Sequence, residues 1–277
     1  MKCAWKELLA ILPTWIAVEA DRLGKESLQE LRLRLGKPPE LVMGQKSIWL
    51  TRKVSRDDLN FCINIASRYS PWAAQTMAEG FITAPGGHRI GICGEAVVKN
   101  GTVTGIRDAQ MLCIRVARDF PGIGEKADTL SGSMLLLGPP GSGKTTLLRD
   151  IVRRASGKEA VAVVDERGEL FPAAGGFHCG ERLDVLCGCP KAQGIDMVLR
   201  TMGPSCIAVD EITAESDCEA LIRAGWCGVR LLATAHAATI RDLNSRPIYK
   251  ALASKGLFDH VLILSRDKSW RAERMDR

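Results

Sequence analysis

Gly138-Pro139-Pro140-Gly141-Ser142-Gly143-Lys144-Thr145-Thr146, preceded by Met134-Leu135-Leu136-Leu137, is the stretch that decides the fold. It fits the spacing G-x-x-x-x-G-K-[ST]. Its glycines let the chain close into a ring with the N–H groups pointing inward, which makes an anion nest. The apolar residues before it read as a buried strand. Leu147, Leu148, Ile151, Val152 and Ala155 after it fall on one helical face. Strand, loop and helix is the required setting, because the helix N-terminus adds free N–H groups and the positive end of its dipole. Residues 138–146 are therefore expected to hold the phosphates of ATP. Lys144 brings a point charge to the β- and γ-phosphates, Thr145 offers a hydroxyl to Mg²⁺, and Thr146 adds a hydrogen bond to phosphate.

Further apolar runs lie downstream, each ending in polar residues. Cys206-Ile207-Ala208-Val209 ends in Asp210-Glu211, about 65 residues after the loop. Asp210 is placed to hold the Mg²⁺ shell, and Glu211 to orient and polarise the attacking water. Val161-Ala162-Val163-Val164 ends in Asp165-Glu166-Arg167-Gly168-Glu169. Glu166 or Glu169 there could help to position water or metal; the bland alternative is a solvated loop. Leu231-Leu232-Ala233-Thr234-Ala235 runs into His236, a suitable place for a γ-phosphate sensor. The expected catalytic set is thus Glu211, Glu169, Glu166 and His236.

These runs, with Val261–Leu264, are what strands buried on both faces look like, and helical patterns lie between them. The C-terminal part, 126–277, reads as an α/β domain around a mostly parallel sheet. Pro121-Gly122-Ile123-Gly124 and Ser131-Gly132-Ser133 mark the boundary before it. The part before, 1–125, reads as a smaller α+β domain. It has a helix over about 4–12, an alternating strand Glu30–Leu35 and a helix over 56–69. A hairpin pairs Arg89–Val98 with Thr102–Ile106 through Asn100-Gly101. Met111–Ala117 reads as a separate strand.

Composition narrows the function. The net charge of +6 is spread, with 18 basic against 14 acidic residues up to residue 130 and 20 against 18 beyond it. Aromatic residues are only 5%. A groove for nucleic acid would need concentrated charge and stacking rings, so none is expected. No apolar run reaches the ~20 residues of a spanning helix. The opening residues break at Glu7 and Pro13 and do not form a signal peptide, which points to the cytosol. The ten cysteines are then reduced thiols. Cys187-Gly-Cys189, with His178 and Cys179 nearby, hints at a metal, but small buried thiols are the plainer reading.

The C-terminal part resembles the secretion-type ATPases, a RecA-like group that includes type IV pilus and type II and IV secretion motors. Val198-Leu199-Arg200, Pro204 and Ile207–Glu211 resemble that group's approach to its Walker B strand. Asp165–Glu169 resembles its acidic box, and Thr234-Ala235-His236 its histidine box. Within the group the resemblance is to the stage III sporulation protein AA family of endospore-forming bacteria, over nearly the whole chain. It rests on Leu31–Gly36, Gly86-Gly87-His88-Arg89-Ile90-Gly91, Ile114–Ala117, Arg182-Leu183-Asp184-Val185-Leu186, Cys189-Pro190-Lys191-Ala192 and Ile207–Ile212. The resemblance implies an ATP hydrolase in the mother cell. It would work as a hexameric ring, held at the membrane by partner proteins, and energise the channel between mother cell and forespore. Ring ATPases draw on an arginine from a neighbouring subunit, for which Arg89, Arg115, Arg182 and Arg200 are candidates. The charged tail after Leu264 carries none of the group's motifs. A nucleic-acid-dependent motor and a nucleotide-gated scaffold with little turnover stay open as alternatives.

Overall fold

The computed structural model describes residues 1–67, 76–172 and 175–275. They form two compact units, one from residues 1–119 with 175–177 and the other from 120–172 with 178–275.

The first unit is built on a six-stranded antiparallel sheet. Its strands are β1 (Glu30–Arg34), β2 (Glu40–Met43), β3 (Lys46–Trp49), β4 (Phe81–Thr83), β5 (Arg89–Lys99) and β6 (Thr102–Arg115). They lie in the order β3-β2-β1-β6-β5-β4. Strand β1 alternates as its sequence demands, with Leu31 and Leu33 buried between outward charges. Residues 102–117 differ from expectation: the two short strands read there are one strand, β6. The polar stretch Arg107-Asp108-Ala109-Gln110 is taken up by an irregularity in the β5–β6 ladder, with Asp108 at φ +53°. Asn100 and Gly101 turn the hairpin at φ +51° and +77°, the twist that a two-residue connection requires. Pro13 divides the N-terminal helical stretch into Trp5–Ala10 and Thr14–Leu23. These and the helix Arg56–Ser67 share one core with the sheet, centred on Leu8, Ile16, Leu33, Leu59, Ile90 and Ile114. Of the helix expected over 56–69, the last two residues lie outside the described ones.

The second unit holds a seven-stranded sheet. Its strands are β7 (Met134–Leu137), β8 (Val161–Asp165), β9 (Leu183–Cys187), β10 (Cys206–Val209), β11 (Arg230–Ala235), β12 (His260–Leu264) and β13 (Trp270–Arg274). The order is β13-β12-β7-β11-β10-β8-β9, parallel throughout except for β13. Strands β7, β8 and β10 are buried along their whole length, as continuous apolar runs should be. Helices Lys144–Ser156, Lys191–Thr201 and Glu215–Trp226 connect them. Parallel pairing in register has a direct consequence for function. It brings the carboxyl ends of β7, β8, β10, β11 and β12 to one edge, where open α/β sheets bind ligands.

Candidate nucleotide site

Strand β7 delivers residues 138–143 at that edge, and the helix Lys144–Ser156 leaves from it. A Cβ at Gly138 would stand 2.6 Å from Ser142 Oγ and 2.9 Å from the Leu264 carbonyl, so only glycine fits there. The Lys144 side chain turns back into the loop. Its ammonium donates to the carbonyls of Gly138 (2.8 Å) and Pro139 (3.1 Å) and lies 3.3 Å from His236 Nδ1. Burial pushes the Lys144 pKa below its usual value, and the charges of Asp210 and Glu211 oppose that shift. The Ser142 hydroxyl is buried in the loop without a hydrogen-bond partner. An unsatisfied donor inside a glycine-rich ring is what an oxyanion site requires.

The acids meet the loop from β10. Thr145 Oγ1 donates to Asp210 Oδ2 at 2.7 Å, and Thr234 Oγ1 donates to Asp210 Oδ1 at 2.6 Å. Thr234 Oγ1 in turn accepts the Glu211 N–H at 2.7 Å. Glu211 sits at φ +52°, a left-handed conformation that costs a side-chain-bearing residue energy and needs support from its surroundings. Its carboxylate is held on both oxygens, Oε1 by His236 Nε2 at 2.9 Å and Oε2 by Arg167 Nη1 at 3.1 Å. The Lys144 ammonium has only donors, so His236 Nδ1 must accept. Nε2 then faces the Glu211 carboxylate as the donor.

Asp165, at the end of β8, is 2% exposed and accepts three N–H groups of its own loop: Glu169 (2.8 Å), Leu170 (2.9 Å) and Phe171 (2.8 Å). Burial raises its pKa to about 6, against those hydrogen bonds. Arg149 ties the same loop from below, donating to the carbonyls of Leu170 (2.6 Å) and Glu169 (2.7 Å). Glu166 pairs with the buried Lys191. The side chains of Glu166, Arg167, Glu169 and Lys191 line one crevice with Asp165, Asp210 and Glu211.

Lys144, Thr145, Asp210, Glu211 and His236 thus form one connected cluster. Glu166 and Glu169 border it, with Glu166 already engaged by Lys191. Pro139, Pro140, Gly141, Gly143 and Thr146 stand in the loop and the first turn of its helix. Sequence reasoning assigned no role to Thr234, Arg149, Arg167 or Lys191. Thr234 had a signal: it is the one hydroxyl within the fully buried run Leu231–Ala235. Of the candidate arginines, Arg182 donates to the Lys158 carbonyl, Arg89 lies over the Phe81 ring and Arg115 stands 3.8 Å from Glu30. Arg200 is exposed. Among the described residues no group of three or more His, Cys, Asp or Glu is placed to hold a metal by itself, at the cysteines or elsewhere.

Comparison with known proteins gives the family. The profile of the family described as Sporulation stage III, protein AA matches residues 6–272. The chain belongs to that family. It is 37% identical over 256 residues to Stage III sporulation protein AA of Bacillus subtilis (strain 168), covering 87% of this chain and 83% of that protein. Among solved structures, the pilus retraction motor PilT with bound ADP superposes with a TM-score of 0.65 at 16% identity, over 95% of this chain and 82% of the motor. The ATPase DotB of Legionella pneumophila gives 0.60 at 17%, over 95% and 80%. The fold is therefore that of the RecA-like secretion ATPases: a P-loop domain with a mostly parallel sheet, preceded by a smaller α+β part. No helix among the described residues is long and apolar enough to cross a membrane.

Proposed function

We propose that this member of the family hydrolyses ATP with Mg²⁺, and that hydrolysis energises assembly of, or transport through, the channel between mother cell and forespore. The observation that carries the reading is the joining of Lys144, His236 and Glu211 into one polar chain beside the Thr145–Asp210 contact. The nest of residues 138–146 suits the phosphates, with the Lys144 charge moving from loop carbonyls to phosphate oxygens. Thr145 Oγ1 and the Asp210 carboxylate are the hard oxygen donors that suit Mg²⁺, which when bound offsets phosphate charge. Glu211 orients the attacking water and accepts its proton, and His236 holds Glu211 and senses the neighbouring charge.

The ring belongs to the same proposal. Transition-state charge at a phosphate loop calls for an arginine, which ring ATPases take from a neighbour. Arg200 is exposed, and its side chain makes no hydrogen bond or ion pair among the described residues, so it is the arginine best suited to that task. We place the hexamer at the cytoplasmic face of the mother-cell membrane, held there by the channel's membrane proteins, without nucleic acid. The domains proposed are 1–125 and 126–277. The test is turnover by the purified chain beside Lys144→Ala. Wild type should hydrolyse ATP, and the variant should lose hydrolysis and most nucleotide affinity. Equal turnover by the two would remove residues 138–146 from the mechanism.

A further inference from the structure

The charged tail after Leu264 has a place in the structure that its sequence does not announce. Strand β12 runs parallel to β7 with Ile263 opposite Leu137, so β12 ends abreast of the phosphate loop. The chain then turns tightly into β13. Ser265 N–H donates to the Ser269 carbonyl at 3.0 Å and Lys268 N–H to the Ser265 carbonyl at 3.1 Å. Asp267 Oδ1 accepts from Ser269 N–H (3.0 Å) and Ser269 Oγ (2.7 Å), so this acid is occupied within the turn. Lys268 is held at φ +72°, a conformation a lysine adopts only when its surroundings impose it.

That conformation sends the side chain over the nest. Lys268 Cδ lies 3.7 Å from where a Cβ on Gly143 would stand, and its ammonium donates to the Gly141 carbonyl. Among the described residues Lys268 pairs with no carboxylate. A cation thus rests on a neutral carbonyl of the phosphate loop. Charge-assisted contacts to phosphate are roughly twice as strong as neutral ones. We propose that Lys268 is a second phosphate-binding lysine, supplied by the C-terminal hairpin of the same chain, and that its ammonium passes from Gly141 to the polyphosphate of a bound nucleotide. Lys144 then grips the polyphosphate from inside the loop and Lys268 from outside it. This rests on the nucleotide reading of residues 138–146.

Two variants of the full chain separate this role from a simple staple on the loop. Lys268→Gln keeps an N–H donor for the Gly141 carbonyl and removes the charge. Lys268→Arg keeps the charge. Binding of ADP and of a non-hydrolysable ATP analogue is measured by calorimetry at two salt concentrations. The glutamine variant should bind both about ten-fold more weakly, with a shallower salt dependence. The arginine variant should stay within about three-fold of wild type. A glutamine variant that binds both nucleotides like wild type would overturn the second lysine and leave the nucleotide site standing. A wild-type chain that binds neither nucleotide would overturn both.

Discussion

Two strands of the parallel sheet end in the same dipeptide. Asp165-Glu166 stands at the end of β8, Asp210-Glu211 at the end of β10, and the two strands are neighbours with Val164 opposite Val209. Sequence and register are alike at the two tips, yet their chemistry diverges. Asp165 turns inward and organises three N–H groups of its own loop, whereas Asp210 accepts the hydroxyls of Thr145 and Thr234. Glu166 is committed to a buried lysine, whereas Glu211 is held at φ +52° between the His236 imidazole and a half-exposed guanidinium. The difference lies in the loop that leaves each tip and in the strand that faces it. After β8, Arg167-Gly168-Glu169 doubles back and caps Asp165, with Gly168 at φ +63°. After β10 no such loop caps Asp210, and the Thr234 hydroxyl of β11 takes its place. An acidic pair at a strand end is therefore a position, and its neighbours make it a scaffold or a reacting group.

The strongest way to break this comparison is to neutralise the glutamate at each tip. Glu211→Gln should lower turnover by about a hundred- to a thousand-fold while nucleotide binding persists, since the isostere keeps the shape and removes the base. Glu166→Gln should leave turnover within about three-fold, with its cost falling on stability because Lys191 loses its partner. Steady-state kinetics on the two variants decides. The opposite pattern would exchange the roles of the tips.

Asp165→Asn tests the scaffold. The amide must turn an NH₂ toward at least one of the loop's N–H groups, so the variant should lose about 2 kcal/mol of stability at pH 7. The pH dependence has a defined sign. The folded-state pKa of about 6 lies above the ordinary 3.8, so the folded chain keeps a proton that the unfolded chain has shed. The stability contributed by this group is fully present below about 3.8 and lost as pH rises through about 6. Asparagine has no such titration. Urea unfolding should therefore show the largest gap between wild type and variant near pH 4, narrowing toward pH 7. A gap independent of pH would mean that Asp165 does not titrate in this window.

The β7 loop and the runs of β8, β10, β11 and β12 were legible in the sequence because a strand buried on both faces leaves no choice of residue. The same logic failed at the margins of the sheet. Strand β13, Trp270-Arg271-Ala272-Glu273-Arg274, is an edge strand whose exposed charges read as tail. Strand β9 is only half-buried at the other edge, so its apolar run is broken by Asp184. At the site, Lys144, Thr145 and Asp210 were legible because their spacing is fixed by the phosphate they are read to hold. Thr234, Arg149 and Lys268 were not, because each acts through a contact with residues 20 or more positions away, at places where other residue types would serve the fold equally well.

The smallest expected effect belongs to Arg167, and it sharpens the comparison most. Its side chain is 48% exposed and its contact with Glu211 is 3.1 Å, so the pair is a surface ion pair of about 0.2–1 kcal/mol. Arg167 is also the residue by which the β8 tip reaches the β10 tip, since it belongs to the loop that Asp165 caps. While Arg167 holds it, Glu211 Oε2 is taken up by an ion pair and is not free to orient water. Releasing that oxygen should raise turnover, and the size of the pair limits the gain to about five-fold. Arg167→Gln is thus expected to speed single-turnover hydrolysis roughly two- to five-fold, as that energy allows, with ADP affinity unchanged. The decisive measurement is the double-mutant cycle. In a Glu211→Gln background the partner charge is gone, so Arg167→Gln should have no further effect on the residual rate. An equal effect in both backgrounds would show that Arg167 acts on something other than Glu211, and that the two tips work independently.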